Sequence, residues 1–207
     1  ILGNYLDEGV EVDSAIYRHQ IHSVFGEIAL EEASKLPTKV LPQDKKDRVD
    51  ITNLELITID GDDSRDFDDA VYAKPSKNGW KLIVAIADVS HYVKEESELD
   101  VESLDRGNSV YFPHRVVPML PESLSNNLCS LRPNEDKYTF SALFTFNEKH
   151  QIIDQWFGKT IINSNQRFSY NEAQYIIETK KETIPKEVSL SKESYQIKKE
   201  IKEGIIL

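Results

Sequence analysis

Residues 57–72 carry a dense group of carboxylates between two short apolar segments. Their sequence, I-T-I-D-G-D-D-S-R-D-F-D-D-A-V-Y, places six aspartates and one arginine within residues 60–69. Carboxylates this close repel one another by about 1 kcal/mol per pair even in water, so a fold that keeps them together needs a compensating positive charge. Mg²⁺ is a natural candidate, because it prefers oxygen ligands and is commonly held by one or two carboxylates, water and substrate phosphate. The stretch therefore predicts a divalent-cation site suited to phosphate chemistry.

The pattern of residues 57–72 has two alternative interpretations besides a metal site. An aspartate run is often a solvated acidic turn, and the composition alone leaves that open. The alternating Asp60, Asp62 and Ser64 also suggest a calcium loop. A calcium loop, however, needs Gly at its sixth position and a bidentate Glu at its twelfth, and these positions hold Arg65 and Val71. The calcium loop is therefore excluded.

The residues around the acidic stretch predict a sheet that positions it. Residues 54–59 form a short apolar strand, and residues 70–74 and 80–87 flank the loop P-S-K-N-G, whose Asn-Gly pair at 78 and 79 signals a hairpin. Almost all of residues 80–87 are apolar, which is typical of a strand buried on both faces. Asp88 and His91 follow this strand, and we expect them to form a buried, hydrogen-bonded pair.

The rest of the chain predicts an α+β (mixed) fold, with a largely antiparallel sheet and flanking helices. Alternation predicts a strand at residues 138–147, paired across a turn with residues 152–162. Caps and apolar spacing predict four helices, at residues 27–36, 97–106, 171–179 and 191–205. The sequence predicts an incomplete strand and a loop at residues 1–20. It predicts an extended, charged surface linker at residues 37–53.

The length, the net charge and the cysteine content of the chain limit the classes of function that it can have. The chain has 207 residues, 39% of them hydrophobic, and no apolar run nears the about 18 residues of a membrane helix, so we expect no membrane partner. Cys129 is the only cysteine, lies in an apolar setting and fits an inert core thiol in a reducing, cytoplasmic compartment. The net charge of −11 counts against nucleic-acid binding by electrostatics alone. It does not count against an enzyme that holds phosphate through metal ions.

Three long motifs follow one another along the chain. They are D-G-D-D-S-R-D-F-D-D-A-V, A-I-A-D-V-S-H-Y-V and S-V-Y-F-P-H-R-V-V-P-M-L-P-E-S-L-S-N-N-L-C-S-L. Together they resemble the catalytic RNB domain of the ribonuclease II / ribonuclease R family, and the first is closest to the form found in bacterial ribonuclease R. The resemblance implies that residues 1–20 are the tail of an upstream domain or a linker. Residues 21–207 would then be the N-terminal portion of a truncated RNB catalytic domain.

The resemblance implies a hydrolytic 3′-to-5′ exoribonuclease that degrades single-stranded RNA to nucleoside 5′-monophosphates. Carried over position by position, it assigns catalysis and metal binding to Asp60, Asp66, Asp68 and Asp69. The implied cofactor is Mg²⁺, as one ion or as the pair of a two-metal mechanism, with Mn²⁺ able to substitute. Asp62 and Asp63 match no catalytic aspartate and are expected to be solvated loop residues or to support the metal ligands indirectly. Arg65 is expected to be a counter-charge within the loop.

Two tyrosines are candidate RNA contacts. Tyr111, in S-V-Y-F-P, matches a position where the family stacks a base, and stacking is tolerant of sequence because every base has a π-face. Tyr170, in R-F-S-Y-N-E-A, matches a tyrosine that lies near the terminal ribose in the family. The alternative for Tyr170 is a hydrophobic anchor at the start of a helix. The expected partner is the 3′ end of single-stranded RNA, without DNA, and the intact protein is expected to be a monomer.

Parts of the family pattern are missing from this sequence. It contains no S-P-I-R-type motif, whose arginine stabilises the scissile phosphate in the family, and no OB-fold RNA-binding domain. We therefore expect the 207 residues to have little or no nuclease activity on their own. A rival interpretation is a catalytically inert RNA-binding or assembly module of the same fold, although the presence of all four aspartates argues against it. A third is a metal-dependent phosphoesterase acting on small substrates.

Overall fold

The computed structural model describes residues 9–207, which fall into two compact units. The first unit contains residues 9–36 and 90–125, and the second contains residues 37–89 and 126–207. The acidic stretch and the main sheet both belong to the second unit. The domain boundary predicted at residue 20 stays a prediction.

Helices occur in both units. The α-helices of the described residues are α1 (Val10–Arg18), α2 (Glu27–Ser34), α3 (Val89–Tyr92), α4 (Glu98–Arg106), α5 (Tyr170–Thr179) and α6 (Lys199–Ile206). A 3₁₀ turn covers Pro42–Lys45, and a π-helical turn covers Leu124–Leu128. None of the helices in residues 9–207 is both long enough and apolar enough to span a bilayer.

The strands confirm the predicted α+β fold. They are β1 (Val49–Asp50), β2 (Ile57–Asp60), β3 (Asp69–Ser76), β4 (Gly79–Ala87), β5 (Val110–Phe112), β6 (Arg115–Val117), β7 (Asp136–Asn147), β8 (Ile152–Asn163), β9 (Gln166–Ser169), β10 (Thr183–Ile184) and β11 (Tyr195–Gln196). Seven of them form one sheet in the order β1-β8-β7-β4-β3-β2-β9. Its pairs are antiparallel except for β1 with β8 and β2 with β9, which are parallel.

The capped helices and the long hairpin are where the sequence predicts them. In α4, the Ser97 hydroxyl accepts a hydrogen bond from the Asp100 N–H at 3.3 Å, and Gly107 ends the helix. In α5, Ser169 and Glu172 form the predicted capping box. The strands β7 and β8 pair along almost their whole length, which confirms the predicted antiparallel hairpin.

The predictions for residues 1–20 and 191–205 are wrong in part. Residues 10–18 form α1 rather than a strand and loop, because the spacing of Val12 and Ile16 buries both on one helix face. The remainder of that prediction, residues 1–8, lies outside the described residues. The helix predicted at residues 191–205 begins only at Lys199, because the preceding residues pair as β11 with β10.

The linker predicted at residues 37–53 is also wrong in part, since it contributes β1 to the sheet and a buried ion pair. The Arg48 Nη2 donates to Asp88 Oδ2 at 2.5 Å, and both side chains are only 4% exposed. The same guanidinium donates to the carbonyl oxygens of Thr139 and Thr160 and lies over the Tyr138 ring at 4.7 Å. Asp88 is therefore buried and hydrogen-bonded to Arg48, whereas His91 is only half-buried, and the predicted pairing of Asp88 with His91 stays a prediction.

The strand β4 is not covered equally on its two faces. Ile83, Ala85 and Ala87 are buried, but Ile86, which points the other way, is 47% exposed. The prediction of burial on both faces is therefore wrong. The neighbours of β4 are both antiparallel, and antiparallel sheets commonly cover one face better than the other.

The helices of the second unit pack on the β2 and β9 side of the sheet. They enclose an apolar cluster whose buried members are Ile57, Phe168, Ile176, Ile184, Ile197 and Ile201. Because this cluster contains residues of β2, β9 and α5, it fixes the three elements that end near the acidic stretch. Cys129 is also buried, and desolvation raises the pKa of its thiol to about 12, as expected of an inert thiol.

The turn between β3 and β4 is shorter than the sequence predicts. The register pairs Ser76 with Gly79, so the turn consists of Lys77 and Asn78, and Gly79 is already in the strand. Gly79 has a φ of 139°, and a Cβ added there would lie 2.0 Å from the Phe146 carbonyl oxygen. Gly79 is therefore required both by its backbone conformation and by the close approach of β7.

We predict that Gly79→Ala lowers the free energy of unfolding by about 3 kcal/mol, because the new methyl group must displace backbone. The matched control is Gly107→Ala, where φ is 74° but no atom lies within 4 Å of the added Cβ. This control should cost only about 1 kcal/mol, the strain of the left-handed conformation. Thermal unfolding followed by far-ultraviolet circular dichroism compares the two. Equal losses would show that the contact with β7 contributes nothing.

We also predict that Arg48→Met lowers the free energy of unfolding by about 3 kcal/mol, because the buried Asp88 carboxylate then loses its charged partner. Urea unfolding followed by tryptophan fluorescence measures this, since Trp80 and Trp156 both lie in the main sheet. The control is Arg132→Met, which removes a half-exposed pair with Glu135 and should cost less than about 1 kcal/mol. A loss for Arg48→Met no larger than that of the control would contradict the prediction.

Candidate active site

The sheet topology brings the acidic stretch and Tyr170 to one end of the second unit. Asp60 ends β2 and Asp69 begins β3, and because these neighbours are antiparallel, both residues lie at the same end of the sheet. On the other side of β2, the parallel strand β9 pairs Ser169 with Asp60. Tyr170 follows directly as the first residue of α5. Residues 61–68, called the acidic loop below, connect β2 to β3 at this end.

Buried contacts fix the second half of the acidic loop. The Phe67 N–H donates to the Ser130 hydroxyl at 3.1 Å, and that hydroxyl donates to the Arg65 carbonyl oxygen at 2.8 Å. The Phe67 carbonyl oxygen accepts from the Leu131 N–H at 2.8 Å, and the Phe67 ring is buried. The Asp68 carbonyl oxygen accepts from the Ala87 N–H at 2.9 Å. The backbone that carries Asp66, Asp68 and Asp69 is therefore attached to buried parts of the second unit.

Arg167, on β9, contacts the acidic loop from the other side. Its Nη2 donates to the carbonyl oxygens of Gly61 at 2.6 Å and Asp62 at 2.9 Å. Its guanidinium carbon lies 4.9 Å from the centre of the Phe67 ring. Arg65, by contrast, is exposed and takes part in no ion pair among residues 9–207. Desolvation raises the pKa of the Asp60 carboxyl and the positive charge of Arg167 lowers it. Arg167 therefore acts as a counter-charge to that aspartate, and the role predicted for Arg65 stays a prediction.

Sequence reasoning missed Arg167 because the strand that carries it is only four residues long. Four residues are too few to show the alternation of apolar and polar side chains by which a strand is predicted. The only available signal was the motif R-F-S-Y, in which an arginine precedes the candidate Tyr170 by three positions.

The aspartates are close enough to act on one another electrostatically. Desolvation raises the pKa of the Asp60 carboxyl, and the negative charge of Asp69 raises it further, while the positive charge of Arg167 opposes both. Desolvation also raises the pKa of Asp68, with the charges of Asp66 and Asp69 adding to the effect. Asp68 is an exposed residue, so its carboxyl group is only partly withdrawn from water. The four aspartates thus form one negatively charged group.

The donor atoms of this group suit a hard divalent cation. All are carboxylate oxygens, and Mg²⁺ is commonly held by one or two protein carboxylates, with water and substrate phosphate completing its shell. Among residues 9–207, no three His, Cys, Asp or Glu side chains are arranged to hold one metal ion together. The carboxylates of the loop thus fit Mg²⁺ by their donor chemistry, but their arrangement in residues 9–207 does not bring three of them together as ligands of one ion. Their assignment as metal ligands and catalytic residues stays a prediction.

The remaining candidate residues are placed as follows. Asp62 and Asp63 are exposed, as expected of solvated loop residues. Tyr170 is 64% exposed, which does not fit the alternative of a buried hydrophobic anchor. Tyr111 lies in the first unit, on β5, and is 66% exposed. The binding of either tyrosine to RNA stays a prediction.

A buried carboxylate fixes the backbone beneath Tyr170. Glu172 is 1% exposed and accepts hydrogen bonds from the Ser169 N–H at 2.8 Å, the Leu190 N–H at 2.9 Å and the Tyr195 hydroxyl at 2.8 Å. Because α5 begins at Tyr170, these bonds hold the first turn of the helix in place. Tyr170 therefore presents an exposed ring from a rigid element.

Comparison with known proteins agrees with the motifs. The family model described as "RNB domain" matches residues 48–204. A ribonuclease R of Vibrio parahaemolyticus is 44% identical over 179 residues, which are 86% of this chain and 21% of that protein. The chain thus spans about a fifth of the length of this relative.

Solved structures share the fold. A ribonuclease R of Mycoplasma genitalium, in complex with ribose-methylated single-stranded RNA, matches with a TM-score of 0.82 and 37% identity over 87% of this chain and 28% of that one. Yeast Ssd1, described as a pseudonuclease, matches with a TM-score of 0.72 over 86% of this chain and 23% of that one. At 22% identity, the second likeness shows the fold alone. Since the family model covers most of its length, this chain belongs to the RNB domain family.

Proposed function

We propose that the full-length protein is a Mg²⁺-dependent 3′-to-5′ exoribonuclease that hydrolyses single-stranded RNA to nucleoside 5′-monophosphates. The observation that carries this proposal is the meeting of Asp60, Asp66, Asp68, Asp69 and Tyr170 at one end of the sheet, in a chain of the RNB family. The ribonuclease R relatives support the activity. The single, buried cysteine supports a reducing location, and on that ground we propose the cytoplasm.

In this proposal the four aspartates hold the cation, and Mn²⁺ is able to replace Mg²⁺. When bound, the metal would activate water and stabilise the charge that develops on the cleaved phosphodiester. The protein contributes position: β2 and β3 fix Asp60 and Asp69, and Ser130 fixes the loop between them. Desolvation and, to a smaller extent, the charges of neighbouring aspartates raise the pKa values of Asp60 and Asp68, and a bound cation would oppose both effects.

The proposed partner is the 3′ end of single-stranded RNA. The Mycoplasma relative is described in complex with such RNA and also with double-stranded RNA. Because this chain has a net charge of −11, general attraction between basic side chains and phosphates is weak here. We infer that the contact between RNA and this chain depends on the cation and on the stacking of bases against exposed rings such as Tyr170. Residues outside this chain would then supply most of the affinity for RNA.

A second candidate function is an inert RNA-binding module of the same fold. We consider the inert module because yeast Ssd1, which is described as a pseudonuclease, has this fold. The four aspartates, which form one charged group in the structure, favour the nuclease instead. The release of mononucleotides by the full-length protein in Mg²⁺ separates the two candidates.

We predict that Asp69→Asn in the full-length protein abolishes mononucleotide release while the protein still folds and still binds RNA in EDTA. The loss should exceed the about 100-fold that removing a hydrogen-bonding partner of a metal ligand can cost. Release of mononucleotides from a 3′-labelled oligoribonucleotide measures the rate, and gel shift in EDTA measures binding. The matched control is Asp62→Asn, an exposed aspartate of the same loop, which should keep wild-type turnover. Wild-type turnover by Asp69→Asn would remove that residue from the site.

We predict that Tyr170→Ala weakens RNA binding by about 1–3 kcal/mol, the usual contribution of one stacked base. Tyr170→Phe keeps the ring and should bind as the wild type does. Gel shift with single-stranded RNA in EDTA compares both variants of the full-length protein. The control is Tyr17→Ala on α1, which removes a ring that is also exposed but matches no family motif. Equal affinity of Tyr170→Ala and wild type would exclude stacking at this position.

A further inference from the structure

Arg167 contacts both halves of the acidic loop. At the start of the loop, its Nη2 binds the consecutive carbonyl oxygens of Gly61 and Asp62. Near the end of the loop, its guanidinium lies over the Phe67 ring. A single side chain of β9 therefore spans the loop that carries the candidate metal ligands.

The position of Arg167 on β9 explains why it reaches the loop. Phe168, the next residue, is completely buried in the apolar cluster of the second unit. Because successive side chains of a strand point to opposite faces, Arg167 lies on the other face of the sheet. The register pairs it with Thr58, two residues before the end of β2, so a long side chain can bind the backbone that leaves β2. The buried Phe168 thus fixes the base from which Arg167 extends.

We propose that Arg167 is a positioning residue of the proposed active site, which fixes the backbone of the acidic loop that carries the candidate ligands of a divalent cation. This inference rests on the proposed function. It assigns Arg167 no contact with the substrate. Arg167 acts through the backbone of Gly61 and Asp62 and through the Phe67 ring, whereas Ser130 binds the backbone of Arg65 and Phe67.

The guanidinium group suits this role better than an ammonium group. It is planar, so one face can lie on the Phe67 ring while a single nitrogen, Nη2, donates to two carbonyl oxygens. A lysine would keep the positive charge near Asp60 but would not make both contacts in one geometry. The variant Arg167→Lys therefore separates geometry from charge, and Arg167→Met removes both.

The test measures Mn²⁺ binding to the full-length protein without RNA, from the electron paramagnetic resonance signal of free Mn²⁺. We expect Arg167→Lys and Arg167→Met each to weaken Mn²⁺ binding by about 10-fold or more, as loss of groups that orient metal ligands commonly does. The matched control is Arg65→Met, which removes an exposed positive charge from the same loop and should leave binding unchanged. RNA affinity in EDTA should equal that of the wild type in all three variants.

Four results would overturn the proposal. Wild-type Mn²⁺ affinity in Arg167→Lys would show that only charge matters. Tighter Mn²⁺ binding by Arg167→Met would show that the arginine merely competes with the metal. Loss of RNA affinity in EDTA with unchanged Mn²⁺ affinity would make Arg167 an RNA contact. If neither variant folded, as judged by circular dichroism, Arg167 would belong to the fold rather than to the site; if only Arg167→Met failed, Arg167→Lys would decide.

The same experiment separates this proposal from the proposed function. A wild-type protein that binds Mn²⁺ but releases no mononucleotides in Mg²⁺ would contradict the nuclease. The role of Arg167 would then still be decided by the Mn²⁺ affinities. A wild-type protein that binds no Mn²⁺ would have no cation site to position, and the role of Arg167 would be wrong.

Discussion

Repulsion between neighbouring carboxylates is the constraint on which the rest of the second unit depends. The chain direction forces it, because an acidic loop that joins two antiparallel strands must return Asp69 to the end where Asp60 leaves the sheet. Desolvation raises the pKa values of Asp60 and Asp68, and the charges of the neighbouring aspartates raise them further. Arg167 is the cation that opposes this repulsion at Asp60. The binding of a divalent cation at this residual negative charge would be favoured by the same electrostatics that make the carboxylates repel one another.

Buried polar groups, rather than apolar packing alone, hold the elements around this charge. Asp88 directly follows β4, and the last residue of β4 binds the Asp68 carbonyl oxygen. The charge of Asp88 is neutralised by Arg48. Glu172 accepts three hydrogen bonds beneath Tyr170. Buried charges are costly unless they are paired or hydrogen-bonded, and each of these is. They also require one particular geometry, which an apolar contact would not, and so they specify where the acidic loop and the exposed ring lie.

The sequence predicted the parts of the fold that depend on local patterns. Capping residues and apolar spacing located α2, α4 and α5, and alternation located the β7–β8 hairpin. What it missed depends on residues far apart in the chain. The parallel pairing of β2 with β9 joins Asp60 to Ser169, and the Arg48–Asp88 pair joins a supposed linker to the end of β4. No local period records such contacts, and β9 is too short to show one.

The same difference between local patterns and long-range contacts explains which residues of the candidate site the sequence predicted. The aspartates were predicted from their density and from the family motif, since both are properties of one short segment. Arg167 was not, because its role depends on a strand pairing that brings it to the acidic loop from more than a hundred residues away. Arg65 was proposed in its place because it is adjacent in sequence. Arg167 instead reaches the loop from the neighbouring strand, where the buried Phe168 fixes the backbone from which it extends. The loop supplies the negative charge, and the neighbouring strand supplies both the positive charge and the shape.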